Sequence, residues 1–372
     1  MTKLTPEEIS RYARHLAIPD FGIDAQEKLK AARVLVVGAG GLGSPLLLYL
    51  AAAGVGTIGI VDDDRVDLTN LQRQVLYTTD DIGQSKVVLA QQKISQINPH
   101  IHVNIYPERL TRQNAEEIIQ NYDVVADGTD NFPTRYLVND ACVLLNKVNV
   151  YASIFRFEGQ VAVFNYLNSK GERGPNYRDL FPEPPPPNLV PDCATGGVLG
   201  VLPGIIGSMQ ASEVIKVITG IGAPLAGRLF LFDAADFSTR TLKIKKQPSI
   251  VISELIDYEI FCGIKEESPA GYQELSPTDF YKLQKNSSSF SLIDVREPAE
   301  YAIDRIPNSQ IIPLSSITKR LDEIPATGKV IIYCQSGQRS RRAIDQILEH
   351  REAIELYNLT GGLSAYRKIY SS

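Results

Sequence analysis

The chain has 372 residues, 44% of them hydrophobic and 22% charged, with a net charge of −5; that length can bury more than one core, and the composition excludes a disordered or fibrous chain. The charge is uneven, +1 over residues 271–372 and −6 over the rest, so nucleic acid is not expected as the main partner. No apolar run reaches membrane-spanning length, and Met1-Thr2-Lys3-Leu4-Thr5-Pro6 lacks the apolar core of a secretion signal, so no membrane partner and a cytoplasmic location are expected.

In chain order, Ile9, Tyr12, Ala13 and Leu16 stand near helical spacing and predict a helix over 6–30. Residues 34–37 read as a buried strand. Gly38-Ala39-Gly40-Gly41-Leu42-Gly43 then turns the chain into a helix opened by Ser44-Pro45 and running to about Ala53. Short apolar strands follow at 57–61, 103–105, 123–126 and 148–153, with a helix over 85–97 that stops at Asn98-Pro99. This alternation predicts a Rossmann-like α/β fold, a doubly wound and mainly parallel sheet. Residues 165–192 are polar and proline-rich and predict a mobile loop that packs on nothing. A long apolar helix over 204–219 and a β pair at 229–232 and 241–244 continue the sheet in antiparallel fashion. Residues 251–271 read as a linker between a domain over 1–250 and a smaller α/β domain over 272–372, with strands at 291–295 and 330–333.

Gly38, Gly40 and Gly43 fit G-x-G-x-x-G between a strand and a helix, where backbone amides and a helix N-terminus receive phosphate. Asp62 follows at a strand end, where a carboxylate can accept ribose hydroxyls. These features alone fit an NAD-dependent oxidoreductase equally well. Asn70-Leu71-Gln72-Arg73-Gln74, Lys86 and Asp127-Gly128-Thr129-Asp130-Asn131 add amides, two cations and a carboxylate. That set suits ATP with Mg²⁺ better than a dinucleotide. The four histidines, His15, His100, His102 and His350, lie outside these motifs, and a hydride-transfer site would usually want such a proton donor.

The four cysteines stand far apart and read as thiols. Cys334-Gln335-Ser336-Gly337-Gln338-Arg339 follows a strand and precedes a helix, so successive amides can point at one sulfur. Arg339, Arg341 and Arg342 are expected to add positive charge, and both effects favour the thiolate. Cys193, in Pro191-Asp192-Cys193-Ala194-Thr195-Gly196-Gly197, reads either as a reactive thiol carried by the proline-rich loop or as a structural thiol at a helix start. Cys142 lies in a helical apolar pattern and reads as core.

Residues 6–250, above all the stretches from Gly38 to Asn131 quoted above together with Gly83-Gln84-Ser85-Lys86, resemble the MoeB/ThiF family of ubiquitin-activating-enzyme-like adenylyltransferases. The resemblance implies adenylation of the C-terminal Gly-Gly carboxylate of a ubiquitin-like sulfur-carrier protein. It assigns Asp62 to the ribose, Arg73 and Lys86 to the phosphates and Asp130 to Mg²⁺. It implies a homodimer, with Arg14 entering the partner subunit's site, and a transient thioester or acyl disulfide at Cys193. Relatives usually hold zinc with two Cys-x-x-Cys pairs; the matching positions here are Asn176, Asp179, Glu259 and Cys262, so only one thiolate remains and no structural zinc is expected. Residues 272–372, with Leu292-Ile293-Asp294-Val295-Arg296-Glu297-Pro298 and Thr360-Gly361-Gly362-Leu363, resemble a rhodanese domain, although Asp304-Arg305-Ile306 stands where Gly-His-Ile is usual. That resemblance implies a persulfide on Cys334, loaded by a cysteine desulfurase or another sulfur donor, and a carrier thiocarboxylate as product for molybdopterin, thiamine or thiolated tRNA synthesis. Two other readings stand beside this one: an NAD-dependent oxidoreductase fused to a rhodanese, and a non-catalytic carrier-binding scaffold.

Overall fold

The structure, a computed structural model, describes residues 3–185, 196–264, 271–285, 289–351 and 355–370. It divides into two compact units, residues 1–265 and 266–372.

The first unit is built on strands β1 (Arg33–Val37), β2 (Thr57–Val61), β3 (His102–Tyr106), β4 (Val124–Asp127), β5 (Val148–Phe155), β6 (Glu158–Phe164), β7 (Arg228–Asp233) and β8 (Thr239–Lys243). They form one sheet in the order β3-β2-β1-β4-β5-β6-β7-β8. Pairing is parallel from β3 to β5 and antiparallel from β5 to β8. Side chains alternate across the parallel part: Val34 and Val36 join one apolar cluster with the Gly43–Ala53, Lys86–Ile97 and Leu202–Thr219 helices, while Leu35 and Val37 join another with the Phe132–Leu144 helix. Burial on both faces is why these strands read as continuous apolar runs. The order of strands reverses between β1 and β4, and the crevice beyond their carboxyl ends is where a doubly wound sheet binds ligands.

Three expectations need correction. The 6–30 helix is three pieces, Pro6–Arg11, Ala13–Leu16 and Gly22–Ala31. Tyr12 leaves helical geometry at φ −95° and ψ 13°, and Pro19 follows the second piece, where it lacks the amide a helix needs. Part of the 165–192 loop is packed, while 167–172 are exposed: Tyr177–Leu180 is helical, and Tyr177, Asn176 and Asp179 are buried. Part of the 251–271 linker belongs to the first unit, for Tyr258–Phe261 is a helical turn whose Tyr258, together with Cys262, packs into the core around Tyr136.

The second unit has strands β9 (Tyr272–Leu275), β10 (Phe290–Asp294), β11 (Gln310–Ile311), β12 (Lys329–Tyr333) and β13 (Glu355–Leu359), all parallel, in the order β11-β10-β12-β13-β9. Val330 and Ile332 of β12 face the Gln338–Leu348 helix, and Ile331 and Tyr333 face Phe280, Leu363 and Tyr366. Cys334 is the residue after β12. Among the described residues, no helix is long and apolar enough to cross a membrane.

Candidate functional site

The glycine turn after β1 is shaped by two backbone constraints. Gly38 sits at φ +93°, in the left-handed region, and a Cβ on Gly43 would lie 2.1 Å from the Gly38 carbonyl oxygen. Only glycine permits that approach, and it opens a cavity of about 400 Å³ at the carboxyl ends of β1, β2 and β4. Gly38, Gly40, Gly41, Asp62, Asn70, Arg73, Lys86, Asp130 and Asn131 all line it. A cavity of that size suits a nucleotide-sized ligand.

Each charged group is held by its own contacts. Asp62 accepts from the Ala39 and Asp64 amides, both at 2.8 Å; a carboxylate has lone pairs left for ribose hydroxyls. Burial pushes its carboxyl up, with the Lys86 charge opposing. Lys86 is buried and reaches Asp64 at 2.8 Å. Arg73 donates to the Thr69 carbonyl at 2.9 Å from a short turn that Asp67 and Asn70 cap reciprocally. Asp130 is exposed at the cavity wall, and among the described residues its carboxylate has no hydrogen-bond or ion-pair partner. The Asp130 loop is braced by Asp127, whose carboxylate accepts from the Thr129 amide and hydroxyl at 3.0 and 2.6 Å. Asn131 accepts from Thr134 N at 3.0 Å and caps the Phe132–Leu144 helix.

Three expected residues stand back from the cavity. Gly43 lies beneath the turn, Leu71 packs toward the core, and Gln72 is exposed with its carbonyl against Gly200. Arg14 is exposed on the Ala13–Leu16 helix and is not a lining residue. Cys193 lies outside the described residues. The lining also contains Gln74, the last residue of the Asn70-Leu71-Gln72-Arg73-Gln74 stretch, and Glu108, Arg109, Leu110 and Arg135, which were not expected. Arg135 stands one helical turn beyond Asn131 and donates to the Thr129 carbonyl at 3.2 Å; its spacing from Asn131 was the available signal. The 108–110 segment carried none, because it enters the cavity only through the pairing of β3 beside β2.

The positions matching the zinc ligands are committed elsewhere. Asn176 and Asp179 cap their own turn, and Asp179 also accepts from Gln247 N at 2.6 Å. Glu259 pairs with Arg109 at 3.5 Å. Cys262 is buried among aromatic rings, and burial pushes its thiol up to about 11. The loops are joined instead by Asp140, fully buried, which accepts from Arg178 Nε and Nη2 at 2.8 and 2.6 Å and from the Tyr258 hydroxyl at 2.8 Å. The Arg178 guanidinium also lies over the Phe261 ring at 4.5 Å. This donor set is that of a salt-bridge network, not of a closed thiolate site.

In the second unit, Gly337 at φ +90° starts the Gln338–Leu348 helix and turns its amide onto Cys334 Sγ at 3.1 Å. Thr360-Gly361-Gly362-Leu363 seats the loop: Leu363 N donates to the Cys334 carbonyl at 2.8 Å, and a Cβ on Gly362 would fall 2.2 Å from that oxygen. Arg296, in a buried pair with Asp294, donates to Gln335 Oε1 at 3.1 Å. Burial would raise the Cys334 thiol; the Ser340 hydroxyl and the amides of Ser340, Ser336 and Gly337 outweigh it and hold the thiol below its ordinary value. Of the three arginines expected to add charge, Arg339 is bound by both nitrogens to Glu300 at 2.7 and 2.8 Å and also feels the Cys334 charge, Arg341 reaches Glu274 at 2.9 Å, and Arg342 is exposed, so carboxylates partly offset the first two. Cys142 is fully buried in the first unit, and burial pushes its thiol up.

Residues 12–251 match the ThiF family and residues 276–369 the rhodanese-like domain. The chain is 48% identical over 371 residues to the probable adenylyltransferase/sulfurtransferase MoeZ of Mycobacterium tuberculosis, covering 98% of this chain and 94% of that one. It is 53% identical over 268 residues to the sulfur carrier protein adenylyltransferase of Thermus thermophilus, covering 70% and 99%. It is 42% identical over 390 residues to the adenylyltransferase and sulfurtransferase MOCS3 of Drosophila sechellia, covering 98% and 84%. Among solved structures, E. coli MccB with ATP aligns at a TM-score of 0.56 and 22% identity over 65% of this chain and 73% of that one, a likeness of fold.

Proposed function

Because the chain belongs to the ThiF family and carries a rhodanese-like domain, we propose that it adenylates the C-terminal Gly-Gly carboxylate of a ubiquitin-like sulfur-carrier protein and then moves sulfur from Cys334 onto that carboxylate. It is an enzyme of the adenylyltransferase and sulfurtransferase class, the class of relatives that align over nearly its whole length. The observation that carries the adenylation step is the meeting of Arg73, Lys86 and Asp130 in the cavity formed by the Gly38–Gly41 turn.

The carrier's carboxylate attacks the α-phosphorus of ATP, an acyl–phosphate bond forms, and pyrophosphate leaves. Two anions must approach each other, so fixed cations that need no reorganisation lower the barrier. Amides of the glycine turn, Arg73 and Lys86 hold the phosphates, and Asp62 holds the ribose. Asp130, whose carboxylate has no partner among the described residues, would fit Mg²⁺, which when bound would supply further charge neutralisation. The terminal sulfur of a Cys334 persulfide then attacks the acyl carbon and AMP leaves, which gives an acyl disulfide between the carrier and Cys334; an external thiol reductant cleaves its S–S bond, releasing the carrier thiocarboxylate and returning Cys334 as a thiol. Cys193 forms a transient covalent link with the carrier or with the persulfide. A cysteine desulfurase or another donor reloads Cys334. Two copies of the chain exchange Arg14 between their sites. The Asp140–Arg178–Tyr258 network takes the place of a structural zinc, and metal analysis finding one zinc per chain would contradict that.

Hydride transfer is disfavoured by the lining of the cavity, which among the described residues contains no histidine. The deciding experiment is ATP–pyrophosphate exchange with a panel of Gly-Gly-ended carriers. Exchange that appears only when a carrier is present is expected; protein that binds ATP yet exchanges with no carrier would refute the proposal.

A further inference from the structure

The Ser340 hydroxyl has one proton and three acceptors in reach: Asn358 Oδ1 at 2.6 Å, the Gly337 carbonyl at 3.1 Å and Cys334 Sγ at 3.6 Å. Ser340, Asn358 and Cys334 are all fully buried. The Asn358 amide cannot turn over. Its Nδ2 donates to both oxygens of the Glu274 carboxylate, at 3.0 and 2.9 Å, and a carboxylate has no proton to return. Glu274 is fixed in turn by the Thr360 hydroxyl at 2.8 Å and Arg341 Nε at 2.9 Å. Asn358 therefore shows its oxygen to Ser340, at the shortest of the three distances.

We propose that Glu274, Asn358 and Ser340 form a positioning chain in which Asn358 competes with Cys334 for the Ser340 proton, so that the hydroxyl's hydrogen bond to the anionic sulfur is weak and the sulfur stays a stronger nucleophile than a full hydrogen bond from Ser340 would leave it. The proposal rests on the reading of Cys334 as the sulfur carrier. An anion with one fewer hydrogen bond is more basic, and the nucleophilicity of sulfur rises with its basicity. The chain reaches Cys334 from two strands, Glu274 on β9 and Asn358 on β13, and from the helix that follows the loop. The charged groups around the sulfur are Asp294 and Arg296 at the end of β10, Glu300 of the Pro298–Ile303 helix and Arg339 of the loop; they pair with one another. Arg341 faces Glu274. Asp294, Arg296, Glu300, Arg339 and Arg341 stay in place in the variants below, and Asn358→Leu keeps Glu274 as well.

The test is a titration of Cys334 in the full chain from about pH 5 to about pH 9, a span on both sides of a moderately lowered thiol. Ultraviolet thiolate absorbance is read as the difference between each protein and its Cys334→Ala counterpart. Asn358→Leu removes the nearest competing acceptor, leaving only the Gly337 carbonyl at 3.1 Å beside the sulfur, while keeping a similarly branched side chain. It is expected to lower the Cys334 pKa by roughly half a unit to one unit, the worth of a single hydrogen bond. Ser340→Ala introduced into the same protein should abolish that shift. If near-ultraviolet circular dichroism shows that Asn358→Leu has not folded, Glu274→Gln decides instead, with a smaller downward shift expected. An unchanged or raised pKa in the deciding variant, or a downward shift that survives Ser340→Ala, overturns the proposal. The titration needs neither carrier nor sulfur donor, so a failure of the proposed function would be recognised separately.

Discussion

In the proposed adenylation step, Lys86 is the side chain whose loss should be felt most directly. It is buried, and its ammonium is already partnered by the exposed Asp64 at 2.8 Å. Three donors let it keep that partner and still reach a phosphate. Lys86→Met should therefore lower carrier-dependent ATP–pyrophosphate exchange about 10²- to 10³-fold, the usual cost of deleting one preorganised donor to a developing anion. A loss below about tenfold would remove Lys86 from the transition state. At the other site, Arg339 holds the Glu300 carboxyl at about 2. This is a depressed acid, so the stability it brings is present above its unfolded pKa near 4.5 and lost as pH falls toward about 2. Both partners are about a third exposed, so screening limits the effect to about 1 kcal/mol. Urea midpoints of wild type and Glu300→Gln should differ at neutral pH and converge as the acid is titrated. Because the pair is neutral as a whole, the double change Glu300→Gln with Arg339→Gln should move the Cys334 pKa by less than about half a unit. A larger rise would return the arginine to the role first expected of it.

Among the elements, the Tyr177–Leu180 turn and the Tyr258–Phe261 turn are held together by side chains rather than by length. Neither is long enough to be stable alone. Asp140 carries the junction with Arg178 and Tyr258, and it is fully buried. Asp140→Ala strands a guanidinium that is almost as buried and should cost about 3–5 kcal/mol; a chemical denaturation midpoint measures it. These two turns were also the hardest elements to read. Proline and polar composition marked 165–192 as loose, and charge marked 251–271 as linker, whereas their burial depends on Asp140 and Tyr136, far away in sequence. The parallel strands were legible because burial on both faces leaves an unbroken apolar run between turn residues. The cavity was legible wherever a motif lies within a few residues of the β1 or β4 end, as with Gly38 and Asp130. It was not legible at Glu108–Leu110, which arrive by strand pairing. The helix expected over 6–30 failed for a local reason that the sequence did contain, Pro19.

At the scale of the whole molecule, the exposed Arg14 raises a question that one chain cannot answer by itself. Within a single copy, Arg14 is not a lining residue of the cavity, so its proposed role in exchange runs through a second copy. Arg14→Ala and Lys86→Met should each be nearly inactive alone. If two copies pair as proposed, mixing the two variants and letting subunits exchange puts one of each in half of the dimers. In such a dimer, the site with intact Lys86 receives an intact Arg14 from its partner, while the other site lacks both. One working site in half of the dimers gives about a quarter of wild-type exchange. If Arg14 acted only within its own chain, every site in the mixture would lack one of the two residues, and no activity would return. Sulfur transfer should follow a different rule, because Cys334 lies in a unit with its own sheet and core. Cys334→Ala should leave carrier adenylation intact while abolishing thiocarboxylate formation, and equal loss of both would mean that the two chemistries are not separable.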